Sequence, residues 1–216
     1  MRILLPMRRT VLFTAMFAFA VLAFLPLRLV LGAVDSGLSA REATGSIWAG
    51  HLKEARIGPA ALGDLDARLS PVPLLLGRAR IEVARASDAP DRLAGAVAIG
   101  RHRRSVESVT GTIPIDSLGS LPVASLDLTD LTVVFRDDQC DRAEGQVRAN
   151  LSGDVAGLDL PAALSGSVRC DGGALLLPLA SGPGTEGLAV RIFGDGRYEA
   201  RLNARAGAPA TLHGRF

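Results

Sequence analysis

The chain has 216 residues, of which 48% are apolar and only 4% aromatic, so a single domain of ordinary size must build its core from aliphatic side chains. The formal net charge is +2. Without the four arginines that precede residue 29, 20 basic residues stand against 22 acidic ones. This balance excludes the concentrated basic face that binding to nucleic acid requires.

The first predicted element is an apolar segment without charged residues, which runs over residues 10–27. Eighteen such residues rise about 27 Å as a helix, close to the ~30 Å hydrocarbon core of a bilayer. Arg28 interrupts the apolar run near its end, where an arginine side chain can reach the headgroups. The sequence therefore predicts a transmembrane anchor over residues 10–31.

The charges that flank this segment predict its orientation. Arg2, Arg8 and Arg9 precede the segment, whereas only Arg28 follows it closely. The positive-inside rule then places residues 1–9 in the cytoplasm and residues 32–216 in the periplasm, so that the protein is a single-pass protein of a bacterial inner membrane. A cleaved signal peptide ending at Ala33 is the alternative, although its apolar run would be unusually long.

Alternation of apolar and polar residues dominates the rest of the chain and predicts strands with one apolar face. The apolar positions of four such runs are Leu65, Ala67 and Leu69; Ala79, Ile81 and Val83; Val147, Ala149 and Leu151; and Tyr198, Ala200 and Leu202. Helical patterns are scarce, so we expect a mainly β domain. Its about ten to twelve strands would follow one another in meander order, as a curved antiparallel β-sheet or open half-barrel.

Local signals refine this picture. The change of phase between Leu128 and Leu131 predicts a β-bulge near Asp130, because one extra residue returns the apolar side chains to one face. Ser70, before Pro71, is expected to cap a short helix that ends at Gly77. A second short helix is expected over residues 115–118. The glycine-rich sequences 171–173 and 194–196 predict tight turns, and 157–161 and 182–184 predict longer connections.

Cys140 and Cys170 are the two cysteines, and both lie in the part predicted to be exported. In an oxidising compartment such a pair is expected to form a disulfide. A metal or redox site is the other interpretation. It is weaker because the chain has no CxxC sequence and its three histidines lack the spacing of metal ligands. We therefore expect no metal and no cofactor.

No known catalytic motif is found in the sequence, so we expect a protein that is not an enzyme. Asp137, Asp138 and Asp141 could bind a cation, but a solvated turn is the simpler interpretation. The basic residues 101–104 lie between two predicted strands. They could contact anionic headgroups or an acidic partner, or form the charged tip of a hairpin.

The segment 45–50 reads Gly-Ser-Ile-Trp-Ala-Gly. A tryptophan flanked by glycines just after the anchor predicts a first hairpin whose indole plugs one end of the sheet. A surface that contacts a partner is the other interpretation of Trp48.

Several of these segments, in this order, resemble the protein N family of the type II secretion system, the general secretion pathway protein N family. The similar positions are Gly45, Ser46, Trp48 and Gly50 in the first segment, and Pro71, Leu75 and Gly77 in the segment 69–78. The cysteine pair and the segment 194–198 also resemble that family. The resemblance extends over nearly the whole chain.

The resemblance implies an accessory component of the inner membrane that takes part in exporting folded periplasmic proteins across the outer membrane. It implies contacts with the inner membrane and with other type II secretion components, and it brings no catalytic residues. The alternative is a lipid-transfer module of the AsmA-like or bridge-like group, which would hold acyl chains on the apolar inner face of its sheet.

Overall fold

The computed structural model describes residues 7–28, 38–58, 60–85, 92–115, 123–151, 162–182, 187–203 and 210–215. Its first element is the helix α1 (Met7–Ala23), which contains no acidic residue in its first turn. Among the described residues, neither α1 nor any other helix has the length and apolarity needed to cross a membrane.

The rest of the described chain forms one antiparallel sheet of fifteen strands, with a short helix α2 (Pro71–Leu75) between the fourth and fifth strands. The strands are β1 (Leu38–Ser39), β2 (Glu42–Ser46), β3 (Ala49–Ile57), β4 (Ala60–Ser70), β5 (Ala79–Arg85), β6 (Leu93–Ile99), β7 (Arg103–Pro114), β8 (Val123–Arg136), β9 (Gln139–Leu151), β10 (Ala163–Ser167), β11 (Arg169–Asp171), β12 (Ala174–Ala180), β13 (Gly187–Ile192), β14 (Arg197–Asn203) and β15 (Ala210–Arg215). Their order in the sheet is β1-β3-β4-β5-β6-β7-β8-β9-β10-β12-β13-β14-β15, with β2 paired to β3 and β11 paired to β12. The predicted meander is confirmed.

The apolar positions of successive strands lie opposite one another, so one face of the sheet is apolar across its width. Leu52 pairs with Leu65, and Leu128 pairs with Val147. These residues belong to a single cluster of buried side chains that reaches from β3 to β14. Because α1 leaves its own apolar side chains exposed, it does not cover this face. The sheet buries the face by curling around it, and it does not close into a barrel.

β-Bulges keep the apolar side chains on this inner face. The predicted bulge is confirmed: Asp130 has φ +47°, and the pairing of β8 with β9 shifts between Thr129 and Thr132. A second bulge lies opposite it on β7, where Ser108 has φ +48°. Side chains of the facing strands complete both bulges, because the Ser108 N–H donates to Thr132 Oγ1 and the Asp130 N–H to Thr110 Oγ1, each at 3.0 Å.

The connections of the meander lie at the two opposite ends of its strands. We call the row of strand ends at which the chain enters from α1 the near edge, and the opposite row the far edge. The turns of the near edge comprise residues 47–48, 71–78, 100–102, 137–138, 172–173 and 193–196. The opposite, far edge carries the other connections. Of the expected longer connections, residues 157–161 and 183–184 lie outside the described residues, as do residues 116–118 of the second expected helix.

The structure joins Cys140 and Cys170 in a disulfide, with their Cα atoms 5.5 Å apart and a sequence separation of 30. Cys140 is the second residue of β9 and Cys170 lies in β11, and the Cys140 N–H also donates to the Gly173 carbonyl at 2.7 Å. The bond ties these two strands together close to the near edge, where β9 and β11 are not neighbours in the hydrogen-bonded order of the sheet.

On the polar face of the sheet, side-chain hydrogen bonds connect neighbouring strands. Asp127 accepts such a bond with each of its two carboxylate oxygens. The Thr112 hydroxyl donates to Asp127 Oδ1 at 2.7 Å, and Asn150 Nδ2 donates to Asp127 Oδ2 at 2.8 Å. The hydrogen bonds from Thr112 and then from Asn150 lower the pKa of Asp127 below its ordinary value, because they stabilise the carboxylate.

Removal of the disulfide should destabilise the domain. Closure of a loop of this length restricts the unfolded chain, so the double variant Cys140→Ala, Cys170→Ala should lose about 3–4 kcal/mol of unfolding free energy. Urea unfolding of the full chain in detergent, followed by circular dichroism, measures this loss. The reduced wild type is the matched control and should unfold at the same urea concentration as the variant. An oxidised wild type that unfolds with the variant would contradict the expectation.

The domain should lose stability in acid through Asp127. Because the pKa of Asp127 is lowered in the folded state, its carboxylate contributes its full share to the unfolding free energy above the ordinary aspartate pKa of 3.8. This contribution is lost as the pH falls through the lower pKa of the folded state. Thr112→Val should raise the pKa of Asp127, as measured by NMR titration of its carboxyl carbon. Thr129→Val, at an exposed threonine of β8, should leave that pKa unchanged. Equal titration of Asp127 in the wild type and in Thr112→Val would contradict the assignment.

Candidate interaction surface

The segment 45–50 forms the first hairpin, as expected. β2 pairs with β3 from Glu42–Lys53 to Ser46–Ala49, which leaves Ile47 and Trp48 as a two-residue turn at the near edge. Gly45, which pairs with Gly50 just before this turn, has φ +84°, a backbone conformation that other residues rarely adopt.

The chain that follows α1 docks on this turn. The Ile47 N–H donates to the Leu25 carbonyl at 3.1 Å, and Pro26 forms an antiparallel bridge with Ser46. Leu27 packs against the apolar core and lies so close to Gly50 that the glycine has no room for a side chain. Gly50 therefore allows the chain from α1 to approach the sheet closely.

The second segment that resembles the family meets the first at the same place. The Leu69 N–H donates to the Ile47 carbonyl at 3.1 Å, so the turn at Ile47 is bonded on one side to the chain from α1 and on the other to the end of β4. The sequence could not show this contact, because more than twenty residues separate the two partners.

A tight backbone motif ends α2. The Gly77 N–H donates to the Leu74 carbonyl and the Arg78 N–H to the Pro73 carbonyl, both at 3.0 Å, and Gly77 has φ +73°. This is the Schellman arrangement, in which a left-handed residue closes the end of a helix. Ser70 precedes the helix but forms no capping hydrogen bond through its side chain, so the expected side-chain cap was wrong. Pro71 starts the helix, where its missing N–H has no cost.

The short helix α2 presents apolar side chains to the outside. Leu75 is 88% exposed, Leu76 78% and Val72 67%. The three hydrogen bonds from Leu76, Gly77 and Arg78 back to the helix carbonyls hold this loop in one conformation. The apolar side chains therefore form a defined surface at the near edge.

Trp48 lies in the turn between β2 and β3, at the end of the sheet where the chain enters from α1, and it is half-buried there. Its expected role as a plug stays a prediction.

The basic and acidic runs of the sequence are the tips of neighbouring hairpins. Residues 101–102 form one tip, while Arg104 already belongs to β7. His102 Nδ1 lies 2.9 Å from Asp137 Oδ1, and Arg104 Nη1 lies 3.8 Å from Asp138 Oδ1. The two aspartates stand in the turn between β8 and β9 and have positive φ values. The interpretation of both runs as charged turns is therefore the one that the geometry favours.

A network of charged residues crosses the polar face of the sheet above β6, whose side chains at this place on that face are alanines. Ala96 and Ala98 are buried there, because Arg80 of β5 reaches over them to form an ion pair with Glu107 of β7. The Ser105 hydroxyl donates to the same glutamate at 2.9 Å. This network forms one wall of an open depression of about 480 Å³. We did not anticipate it from the sequence, although the alternate alanines of β6 are its signal.

In the described part of the chain, no group of three or more histidine, cysteine or acidic residues is placed to hold a metal ion. Asp141, the third aspartate of the acidic run, instead pairs with Arg136 at 3.3 Å. The arrangement of the site is that of a surface that can contact a partner.

The model of the type II secretion system protein N family matches residues 36–215. The chain belongs to this family. The match includes the whole β domain, both segments that meet at the near edge, and the two cysteines, whereas α1 lies outside it. No significant match was found among curated proteins or among solved structures.

Membership of this family makes the protein a type II secretion component and agrees with the resemblance that its motifs carry. The lipid-transfer alternative gains no support. The apolar inner face is packed with buried side chains such as Val147, Leu164 and Leu188, and the open depressions that the structure describes lie over the polar face.

Replacement of Gly77 should loosen the surface formed by α2. An alanine with the left-handed conformation costs about 1–2 kcal/mol, so Gly77→Ala should lower the unfolding free energy by that amount. Gly77→Asn should cost less, because asparagine tolerates this conformation. Urea unfolding measures both losses. Gly182→Ala is the control, since Gly182 has open space around it and no positive φ, and it should be neutral. Equal stability of Gly77→Ala and the wild type would contradict this account.

Proposed function

We propose that this protein is an accessory, non-enzymatic component of the type II secretion apparatus. In this proposal, α1 and the residues around it hold the protein in the inner membrane, and the β domain works in the periplasm through contacts with other secretion components. The family match supports the secretion role, and the charges before α1 support the orientation.

The observation that carries the proposal is the nature of α1 and its junction with the β domain. α1 exposes apolar side chains along its length, among them Leu12, Phe13 and Phe17. A helix with such a surface needs apolar surroundings. Its end is bonded at Leu25 to the family segment at Ile47, so the family-like surface lies beside the proposed tether.

A role through contacts, rather than catalysis, agrees with the chemistry of the described surface. Many of its acidic groups have arginine or histidine partners, as in the pairs Arg80–Glu107, His102–Asp137 and Arg191–Asp171. The Cys140 and Cys170 thiols are consumed in the disulfide. We therefore expect the domain to act as a rigid body that positions its partners.

A secretion assay tests the proposal. Deletion of the gene should reduce the release of type II substrates into the medium, and the full chain should restore it. A variant in which residues 10–23 are replaced by an unrelated membrane-spanning segment should also restore secretion, because these residues serve as a tether, whereas Leu25, Pro26 and Leu27 are kept for their contacts with the β domain. A variant with a cleavable signal peptide in that place should restore less.

Two results would contradict the proposal. One is normal secretion in the deletion strain together with mislocalised phospholipid or lipopolysaccharide, which would favour lipid transfer; acyl chains detected by native mass spectrometry of the purified protein would point the same way. The other concerns orientation: alkaline phosphatase fused after Phe216 should be active, and an inactive fusion beside an active cytoplasmic reporter would reverse the topology.

A further inference from the structure

The near edge holds a second apolar feature besides the proposed tether, namely the exposed side chains of Val72, Leu75 and Leu76 on α2. We infer that this corner of the near edge is a membrane-contacting surface, which inserts these side chains among the headgroups of an anionic bilayer. The inference rests on the proposed tether for the identity of the membrane, and it assigns the bilayer contact to a part of the β domain.

The bonding at the near edge places α2 at the level where α1 ends. Leu25 is bonded to Ile47, and Ile47 is bonded to Leu69, each through one backbone hydrogen bond of 3.1 Å. Leu69 is two residues from the start of α2. If α1 leaves the hydrocarbon region near Leu25, then α2 lies about as far from the membrane as the last turn of α1, which is the depth of the headgroups.

The surface of α2 has the composition of an interfacial element. Apolar side chains that enter the boundary between headgroups and acyl chains are usually accompanied by basic residues that contact the phosphates. Arg101 stands at the tip of the next hairpin, and Arg78 lies three residues after the end of α2, with its Nη2 3.6 Å from Glu107 Oε1. The two turns touch: the position of a Cβ on Gly100 would lie 3.5 Å from Arg78 Cγ and 3.9 Å from the Gly77 carbonyl oxygen.

The charges along the rest of the near edge limit the contact to this corner. Further along the edge, Asp138 and Asp195 lie on turns and Asp171 ends β11. Each is paired with an arginine, so these pairs give that region little attraction for an anionic surface. The near edge therefore meets the bilayer at the α2 corner, beside the tether, and turns away from it towards β13 and β14.

The rigid backbone of this loop explains how Val72 and Leu75 of α2, and Leu76 directly after it, keep their side chains outside. The Schellman bonds at Gly77 and Arg78 fix the loop, so Leu75 cannot turn inwards to escape water. Insertion into a membrane removes these side chains from water without a conformational change of the loop.

Fluorescence quenching in vesicles tests the inference. The full chain, carrying a bimane label on Leu75→Cys, is reconstituted into vesicles of phosphatidylethanolamine and phosphatidylglycerol. The native cysteines do not react, because they form the disulfide. Doxyl-labelled lipid should quench most of the fluorescence, and aqueous iodide should quench little. Ile57→Cys is the matched control: Ile57 is also an exposed apolar residue, at 49%, but it lies at the far edge, and its label should show the reverse pattern.

A third label, on Phe13→Cys in α1, separates failure of this inference from failure of the proposed tether. A lipid-quenched Phe13 label with a Leu75 label that stays in water overturns the inference and leaves the tether standing. Two labels in water overturn both. A Leu75 label that is shielded from iodide only in native membranes, and not in lipid vesicles, would assign the α2 corner to a protein partner instead.

The basic residues provide a second readout. Quenching of the Leu75 label by doxyl lipid should be stronger with phosphatidylglycerol present than in vesicles of phosphatidylcholine alone, and Arg101→Gln should remove most of that difference. Arg142→Gln, at an exposed arginine of β9, should leave it unchanged. An equal response of both arginine variants would overturn the role of Arg101.

Discussion

The domain depends on one constraint: a single sheet has to bury its own apolar face. In the described residues no second layer packs on that face, so the buried side chains from Leu52 on β3 to Ala200 on β14 contact one another across the inside of a curl. Curvature of this kind needs local irregularity. The bulges at Ser108 and Asp130 supply it on two neighbouring strands, and each free N–H is taken up by a threonine of the other strand.

The same constraint divides the chain between its two edges. At the near edge the turns are short and bonded to one another, as in the hydrogen bonds of Ile47 with Leu25 and Leu69 and of Cys140 with Gly173. The segments that resemble the family are found at this edge. An interaction surface needs a fixed geometry, and the hydrogen bonds between these turns provide one.

Many charged residues of the domain form ion pairs with one another within the sheet. Arg80 covers the alanines of β6 by pairing with Glu107, and His102 joins its hairpin to the next by pairing with Asp137. Such pairs leave a surface of mixed sign, which suits contacts between proteins. The apolar side chains of α2 stand apart from this pattern, because nothing in the described sheet pairs with them or covers them.

The sequence by itself determined the class of fold, the alternation of apolar residues in the strands, the bulge at Asp130 and the tight turns at 171–173 and 194–196, because these follow from local periodicity and from residues that tolerate special backbone angles. The bulge at Ser108 has the same kind of signal, since Val106 and Val109 are three residues apart and both point inwards. It was readable from the sequence and was missed.

Only the tertiary structure decided which turns meet. The approach of Leu25 to Ile47, the half-buried place of Trp48 and the pairing of the basic tip with the acidic one depend on strand pairing and on the curl of the sheet. These are contacts between residues far apart in the chain, and the local pattern of each segment is the same whether or not its partner is near. The outward direction of Leu75 is of this kind as well, because it is set by where α2 stands on the curled sheet and not by the apolar sequence of the helix.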